Sequence, residues 1–287
     1  MSPYQATQIL DSLCQPDAEL ETSQHLAKAA LLFAIENGQD IDLDEQLILI
    51  NKLALEAAVY VDISGDVSDI AKGLCYFFKE IKGYQGDTDD YYRPENSFLN
   101  QVVAHRKGIP ISLAVLYISV ANRLGFDDIA GVAFPGYFLL CFGGKANTGE
   151  AVYVDPFDHR IINDAECEKK LQSLFGKQAR MHRSFLFAVD NRNIIARMAR
   201  NLVEVFQNTH QYEAALVCCS RAISSAPGQA EDHFIRAALY EKLECHSAAI
   251  QEFARFIYLS PKDERIGDIK REIARLREGS SKSKYVH

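Results

Sequence analysis

The sequence predicts an α+β fold: a mainly helical front region with a small antiparallel sheet, followed by an all-α region of helical hairpins. Three observations lead there. Apolar positions recur at helical spacing through the first eighty residues and again from Asn191 onward. Between them a nearly all-apolar helical stretch, ISLAVLYISVANRLG, feeds three short strand-like runs, IAGVAF, YFLLCF and VYVDPF. Near the end, bulky and small residues repeat at a 34-residue period. A buried helix leading into consecutive strands joined by tight turns builds an antiparallel sheet on that helix; alternating helices and strands would build a parallel one.

Taken in order, Ala27, Ala30, Leu31, Ala34 and Ile35 mark one helix, with Asn37-Gly38 as its stop. Leu47, Ile50, Leu53, Ala54, Ala57 and Ala58 mark the next, and Ile70, Leu74, Phe77, Phe78 and Ile81 a third that ends before Gly83. All three read as packing faces. Residues 83–96, GYQGDTDDYYRPEN, form a loop. Asp87, Asp89 and Asp90 crowd it, but the glycine and terminal Glu of an EF-hand loop are missing, so a solvated connector is expected. Ser97 to Arg106 reads as a short helix with Phe98, Val102 and Val103 on one side. Lys107-Gly108-Ile109-Pro110 then breaks the chain, and the helix that restarts has almost no polar face before Asn122, so it must be buried. Pro135-Gly136 and GGKANTGE are the predicted turns between strands, and a short helix over 164–175 precedes the basic connector GKQARMHR.

The chain has 287 residues, enough for two domains, placed at 1–183 and 191–278 with a disordered tail at 279–287. No apolar run approaches the ~18 residues of a membrane span. The opening MSPYQATQILDSLCQPD has no basic stretch followed by an apolar core, so no secretion signal is read and a cytoplasmic location is expected. The seven cysteines form no C-x-x-C pair, which removes the common zinc and redox motifs and leaves buried reduced thiols as the expectation. No metal or cofactor site is expected. The net charge of −8 is uneven: residues 1–160 carry 23 Asp/Glu against 11 Lys/Arg, and residues 161–287 carry 16 against 20. Each phosphate contact needs a cation, so the acidic front half argues against nucleic acid as a partner. The basic residues Lys177, Arg180, Arg183, Arg192, Arg197 and Arg200 read as a solvated face.

Pro227 and Pro261 lie 34 residues apart, and so do Phe206 and Tyr240, Ala215 and Ala249, Cys219 and Phe253, and Ala222 and Phe256. Bulky residues mark the first helix of each unit, small alanines mark a close helix crossing, and proline ends it. Over about 66 residues this resembles the tetratricopeptide repeat. The usual Trp and Gly of the first helix are absent, and Arg236 stands where Leu202 predicts an aliphatic side chain. A capping helix is expected over 264–277, carrying Ile269, Ile273 and Leu276. The resemblance implies a surface that holds a protein or peptide partner.

The segment NSFLNQVVAHRKGIPISLAVLYISVANRLGF, with GVAFPGYFLLCF and VYVDPF, resembles the transglutaminase-like superfamily. Within it the match is to bacterial SirB1-type proteins, which join such a domain to tetratricopeptide repeats. Catalytic members place Cys at a helix start, His on a following strand and Asp on the next. Carried over, those positions are Ser112, Tyr137 and Asp155. Serine is common at the first in the SirB1-type group, whereas tyrosine at the second departs from its usual histidine. A serine hydroxyl gains less from a helix N-terminus than a thiol does and needs a general base. A phenol, protonated at neutral pH, is a poor one. His105 and His159, the nearest replacement bases, read as exposed or helix-end histidines. The resemblance therefore implies a non-catalytic scaffold or adaptor built on a degenerate cleft and the repeats. The alternatives are an amide-directed hydrolase or acyltransferase using Ser112 with a remodelled base, and a structural subunit whose repeats are buried in an assembly.

Overall fold

The structure is a computed structural model that describes residues 1–15, 20, 25–144 and 151–283, with side chains to residue 278. It divides into two units, Met1–Met198 and Ala199–His287.

The first unit opens with α1 (Pro3–Leu13), which the sequence reading did not separate out. Its start is a capping box: Gln5 N donates to Ser2 Oγ and Ser2 N donates to Gln5 Oε1. α2 (His25–Glu36) buries both of its faces, which is why its apolar residues run almost unbroken, and Gly38 at φ 85° ends it. α3 (Leu43–Ala57) and α4 (Val67–Tyr76) are capped by Asp42 and Asp66. A π-helical turn, Phe77–Ile81, continues α4 and turns both Phe77 and Phe78 into the core. α5 (Leu99–His105) and α6 (Pro110–Arg123) follow, and every residue of α6 from Pro110 to Ala121 is buried against α2, α3 and the sheet.

The 83–96 loop holds β1 (Gln85–Gly86), which pairs in parallel with β2 (Lys107–Gly108) and so ties the loop to the start of α6. Among the described residues the main sheet has five strands where three were expected. β3 (Ile129–Val132), β4 (Leu139–Phe142) and β5 (Val152–Asp155) are the three, flanked by β6 (Arg160–Ile162) and β7 (Ala188–Val189). The order is β6-β5-β4-β3-β7, antiparallel throughout. Two- and three-residue strands are too short to show an alternation, so only ladder pairing defines β6 and β7. α7 (Asp164–Phe175) packs Cys167 and Leu171 onto this sheet. The turn expected at GGKANTGE lies largely outside the described residues.

The unit boundary falls within α8 (Asn191–Asn208), which precedes α9 (Tyr212–Ser225), α10 (Ala230–Lys242), α11 (His246–Leu259) and α12 (Ile266–Ser283). The 34-residue period holds in the backbone as well as in the side chains. His210 and Glu244, one period apart, adopt φ of 59° and 58° at equivalent helix ends. Gln211 N donates to Phe206 O and Cys245 N to Tyr240 O, both at 2.8 Å. Arg236, the misfit in the pattern, is accommodated by Glu252, 2.7 Å from its guanidinium. Ile269 and Leu276 of α12 close the core begun by Ala249, Phe253 and Phe256. Of the tail expected at 279–287, the backbone continues α12 to Ser283, and 284–287 lie outside the described residues.

Candidate functional site

Ser112 lies two residues into α6 and is fully buried. Its hydroxyl donates to Asn96 O at 2.6 Å and contacts Ile109 O at 3.1 Å, while Ile109 N donates back to it at 3.1 Å. Proline at the first helical position leaves fewer N–H groups to satisfy, and this serine satisfies the one just before it. The hydroxyl therefore caps the helix and pins the 83–96 loop through Asn96. Asn96 in turn donates to Asp87 Oδ2 at 3.1 Å and to Asp90 O at 2.8 Å. Burial opposes ionisation of Asp87, but bonds from Asn96 and from the Asp90 and Asp89 amides, with Lys107 nearby, outweigh it and lower its pKa. Asp87 thus organises the loop internally. Even the space beside the serine is closed, since a Cβ on Gly108 would stand 2.8 Å from Ser112 Oγ.

Tyr137 and Asp155 do meet. Tyr137 sits in the turn before β4, where its amide donates to Phe134 O at 2.9 Å and Gly136 takes φ 65°. From there the phenol hydroxyl donates to Asp155 Oδ1 at 3.0 Å. Asp155 ends β5, is fully buried, and also accepts from Phe157 N at 3.0 Å. Its other oxygen is met by Lys170 Nζ at 2.9 Å, and that ammonium lies 3.4 Å from the centre of the Tyr137 ring. Burial first, then the Asp155 charge, raises the Tyr137 pKa, so the hydroxyl stays a donor. Sequence reasoning missed Lys170. On α7 it is four residues after Glu166 and reads as half of a surface ion pair, while Glu166 in fact binds Arg160 and the Asn163 amide.

The two replacement bases differ. His105 is exposed at the end of α5, its Nδ1 3.1 Å from Gln101 O, and it lines a cleft of about 210 Å³ with Asp87, Asn96 and Lys107. His159 was expected at the surface and is instead buried, a correction with a clear cause. It turns the β5–β6 hairpin at φ 52°, which swings the ring inward onto Phe78 and Tyr117, with Nδ1 2.8 Å from Tyr117 Oη. Burial, reinforced by Lys79, pushes its pKa down to about 4. The expectation of buried thiols needs one exception, the exposed Cys245. Burial raises the thiols of Cys75, Cys141 and Cys167 to about 11 and that of Cys219 to about 12, which keeps them protonated.

A family model described as the transglutaminase-like superfamily matches residues 46–200, more than half of the chain. The chain belongs to the transglutaminase-like superfamily. A tetratricopeptide repeat model matches residues 202–274, directly after it. A UPF0162 protein of Xylella fastidiosa is 36% identical over 65% of this chain and 66% of its own length, just under two thirds. A UPF0162 protein of Pseudomonas aeruginosa is 30% identical over 91% of both chains. Protein SirB1 of Salmonella typhimurium is 24% identical over 68% of this chain and 71% of its own. With both domains in this order, the chain is a SirB1-type bacterial member of the superfamily. Among its described residues no helix is long and apolar enough to cross a membrane. Of the three positions that the resemblance singles out, Tyr137 and Asp155 are joined, while the polar bonds of Ser112 go to the backbone of Asn96 and Ile109.

Proposed function

We propose that this superfamily member is a non-catalytic adaptor that holds polypeptide, using the degenerate transglutaminase-like site as one contact surface and the repeats as another. The observation that carries the reading is that groups of the same unit occupy Asp155: Tyr137 and the Phe157 amide donate to Oδ1, and Lys170 forms an ion pair with Oδ2. A carboxylate in that role would orient a base; here it holds a phenol that donates to it and a lysine that neutralises it. Among the described residues, the bonds of the Ser112 hydroxyl go to the backbone of Asn96 and Ile109, which cannot take its proton. Exposed apolar side chains lie near this closed centre, together with the charged Asp158 and Arg160. Tyr92, Leu174 and Phe175 are exposed, and Leu174 and Phe175 crowd the Gly136 turn that carries Tyr137. Exposed aromatic and aliphatic groups beside a sealed polar centre suit contact with a chain better than turnover of one. Tetratricopeptide repeats generally carry protein–protein contacts, which supports the same reading for the second unit.

The test has two arms. The purified chain is offered amide and glutamine-donor substrates, with Ser112→Ala in parallel; the expected result is no turnover in either. Peptides selected from a displayed library on the full chain are then titrated against Tyr92→Ser/Phe175→Ser, which should weaken those bound at this surface by about ten-fold. Hydrolysis or acyl transfer that vanishes in Ser112→Ala would overturn the proposal in favour of a serine enzyme.

A further inference from the structure

The outer side of α3 is unusual for a helix that packs on a core. Its inner side, Ile50, Leu53, Ala54 and Ala57, is buried, yet Ile48, Leu55 and Val59 are 51%, 74% and 81% exposed. Spacings of seven and four place these three in one stripe, because the turn after the helix keeps helical geometry: Ala58 N bonds to Ala54 O and Tyr60 N to Ala57 O. Isolated exposed apolar residues are ordinary. This stripe, however, leads into a groove of about 480 Å³ lined by residues 58–63 and Leu124, where Tyr60 and Ile63 are also exposed. Gly73 keeps the groove floor tight, since a Cβ there would meet Tyr60 O at 2.7 Å.

The charge around the stripe identifies the occupant. From Asp40 to Asp69 the chain carries eight carboxylates and a single cation, Lys52; Lys82 and Lys72, from beyond that stretch, pair with Glu56 and Asp69, so the balance around the stripe stays acidic. Lys52 lies on the same face, where its alkyl stem adds apolar surface. Arg123, next to Leu124, is engaged with Asn51 and with Ser119 O. An anionic membrane surface would be repelled by this rim, and so would an acidic peptide. We infer that the outer face of α3 and the groove over 58–63 dock a cationic amphipathic segment of a partner polypeptide. Such a segment places an apolar stripe on Ile48, Leu55 and Val59 and its Lys or Arg flanks against the carboxylates. The surface belongs to α3 and is separate from the one around Asp155, so it stands or falls independently of the adaptor reading.

The probe is a fluorescent 14-residue helical peptide of leucine and lysine with one leucine stripe, compared with its leucine–glutamate counterpart, titrated by anisotropy on the full chain. The lysine peptide should bind and the glutamate peptide should not, with affinity falling as salt rises. Leu55→Ser/Val59→Ser, which leaves the net charge unchanged, should weaken binding at least about ten-fold. Tyr258→Ser, removing an exposed aromatic in the other unit, should leave it unaltered. Should the double variant fold poorly by circular dichroism, Asp44→Asn/Glu45→Gln supplies the check and should weaken binding several-fold. Equal binding of the two peptides, or full affinity in either α3 variant, overturns the inference. So does a wild-type dimer in sedimentation that Leu55→Ser/Val59→Ser dissolves, because the face would then be occupied by a second copy of this chain.

Discussion

Two buried carboxylates, Asp155 in the first unit and Asp232 in the second, show how differently the two regions manage charge. Asp155 is held by groups from three places along the chain: a turn tyrosine, a backbone amide two residues on, and Lys170 from α7. Asp232 is held by the fork of Arg200, which donates through Nε at 2.9 Å and through a terminal nitrogen at 2.8 Å. The fork satisfies both oxygens of Asp232 in one motion. A lysine is a point charge, so Asp155 needs the tyrosine and the amide for its other oxygen. The surroundings differ as well. Arg200 and Asp232 line a groove of about 500 Å³ in the repeat unit, where water can reach, whereas Asp155 is sealed. The first site is a convergence of distant residues that fails as a whole. The second is a local pair within a repeating scaffold, and its failure is graded.

The largest effect should come from breaking the sealed centre. Lys170→Met leaves the Asp155 carboxylate buried without a counter-charge and should destabilise the first unit by about 4 kcal/mol in urea denaturation. A loss below about 1 kcal/mol would show that water reaches Asp155 and would erase the contrast with Asp232. Next comes acid. His159 has a folded pKa of about 4 against an ordinary 6.5, so as pH falls below 6.5 the unfolded chain takes up the proton first. Stability should therefore be flat above pH 6.5 and fall through the window down to about 4, by about 3 kcal/mol in all. His159→Gln should flatten that part of the profile, and an unchanged slope would assign the acid sensitivity to other groups. The smallest effect belongs to the repeats. Arg200→Met should cost about 2 kcal/mol, because groove water can partly solvate the stranded Asp232. Calorimetry that lowers the transition of the second unit alone would confirm that the two regions answer separately; a loss as large as that of Lys170→Met would make the two pairs equivalent.

Much of the molecule was legible beforehand. The all-apolar face of α6, the run over β3 to β5 and the 34-residue period each come from local repetition of burial, which sequence records directly. The sites were only half legible. Tyr137 and Asp155 were paired by resemblance, and they do touch, but Lys170 carries no local sign of its partner, since a lysine on an amphipathic helix looks like any solvated one. His159 was misplaced for a related reason. A histidine four residues past a strand end looks exposed, and its left-handed backbone conformation, which turns the ring inward, is set by the hairpin closing between Asp155 and Arg160.

By itself, then, the sequence determined the α+β class, the order of the two domains and the buried α6. Periodicity and residue identity are one-dimensional properties, and those conclusions need nothing more. Only the tertiary structure decided that Ser112 spends its hydroxyl on a helix cap, that Lys170 completes the Asp155 centre, and that the outer stripe of α3 lies bare beside a groove. Each of these depends on which distant groups come within hydrogen-bonding or van der Waals reach, and that is fixed by packing, not by spacing along the chain.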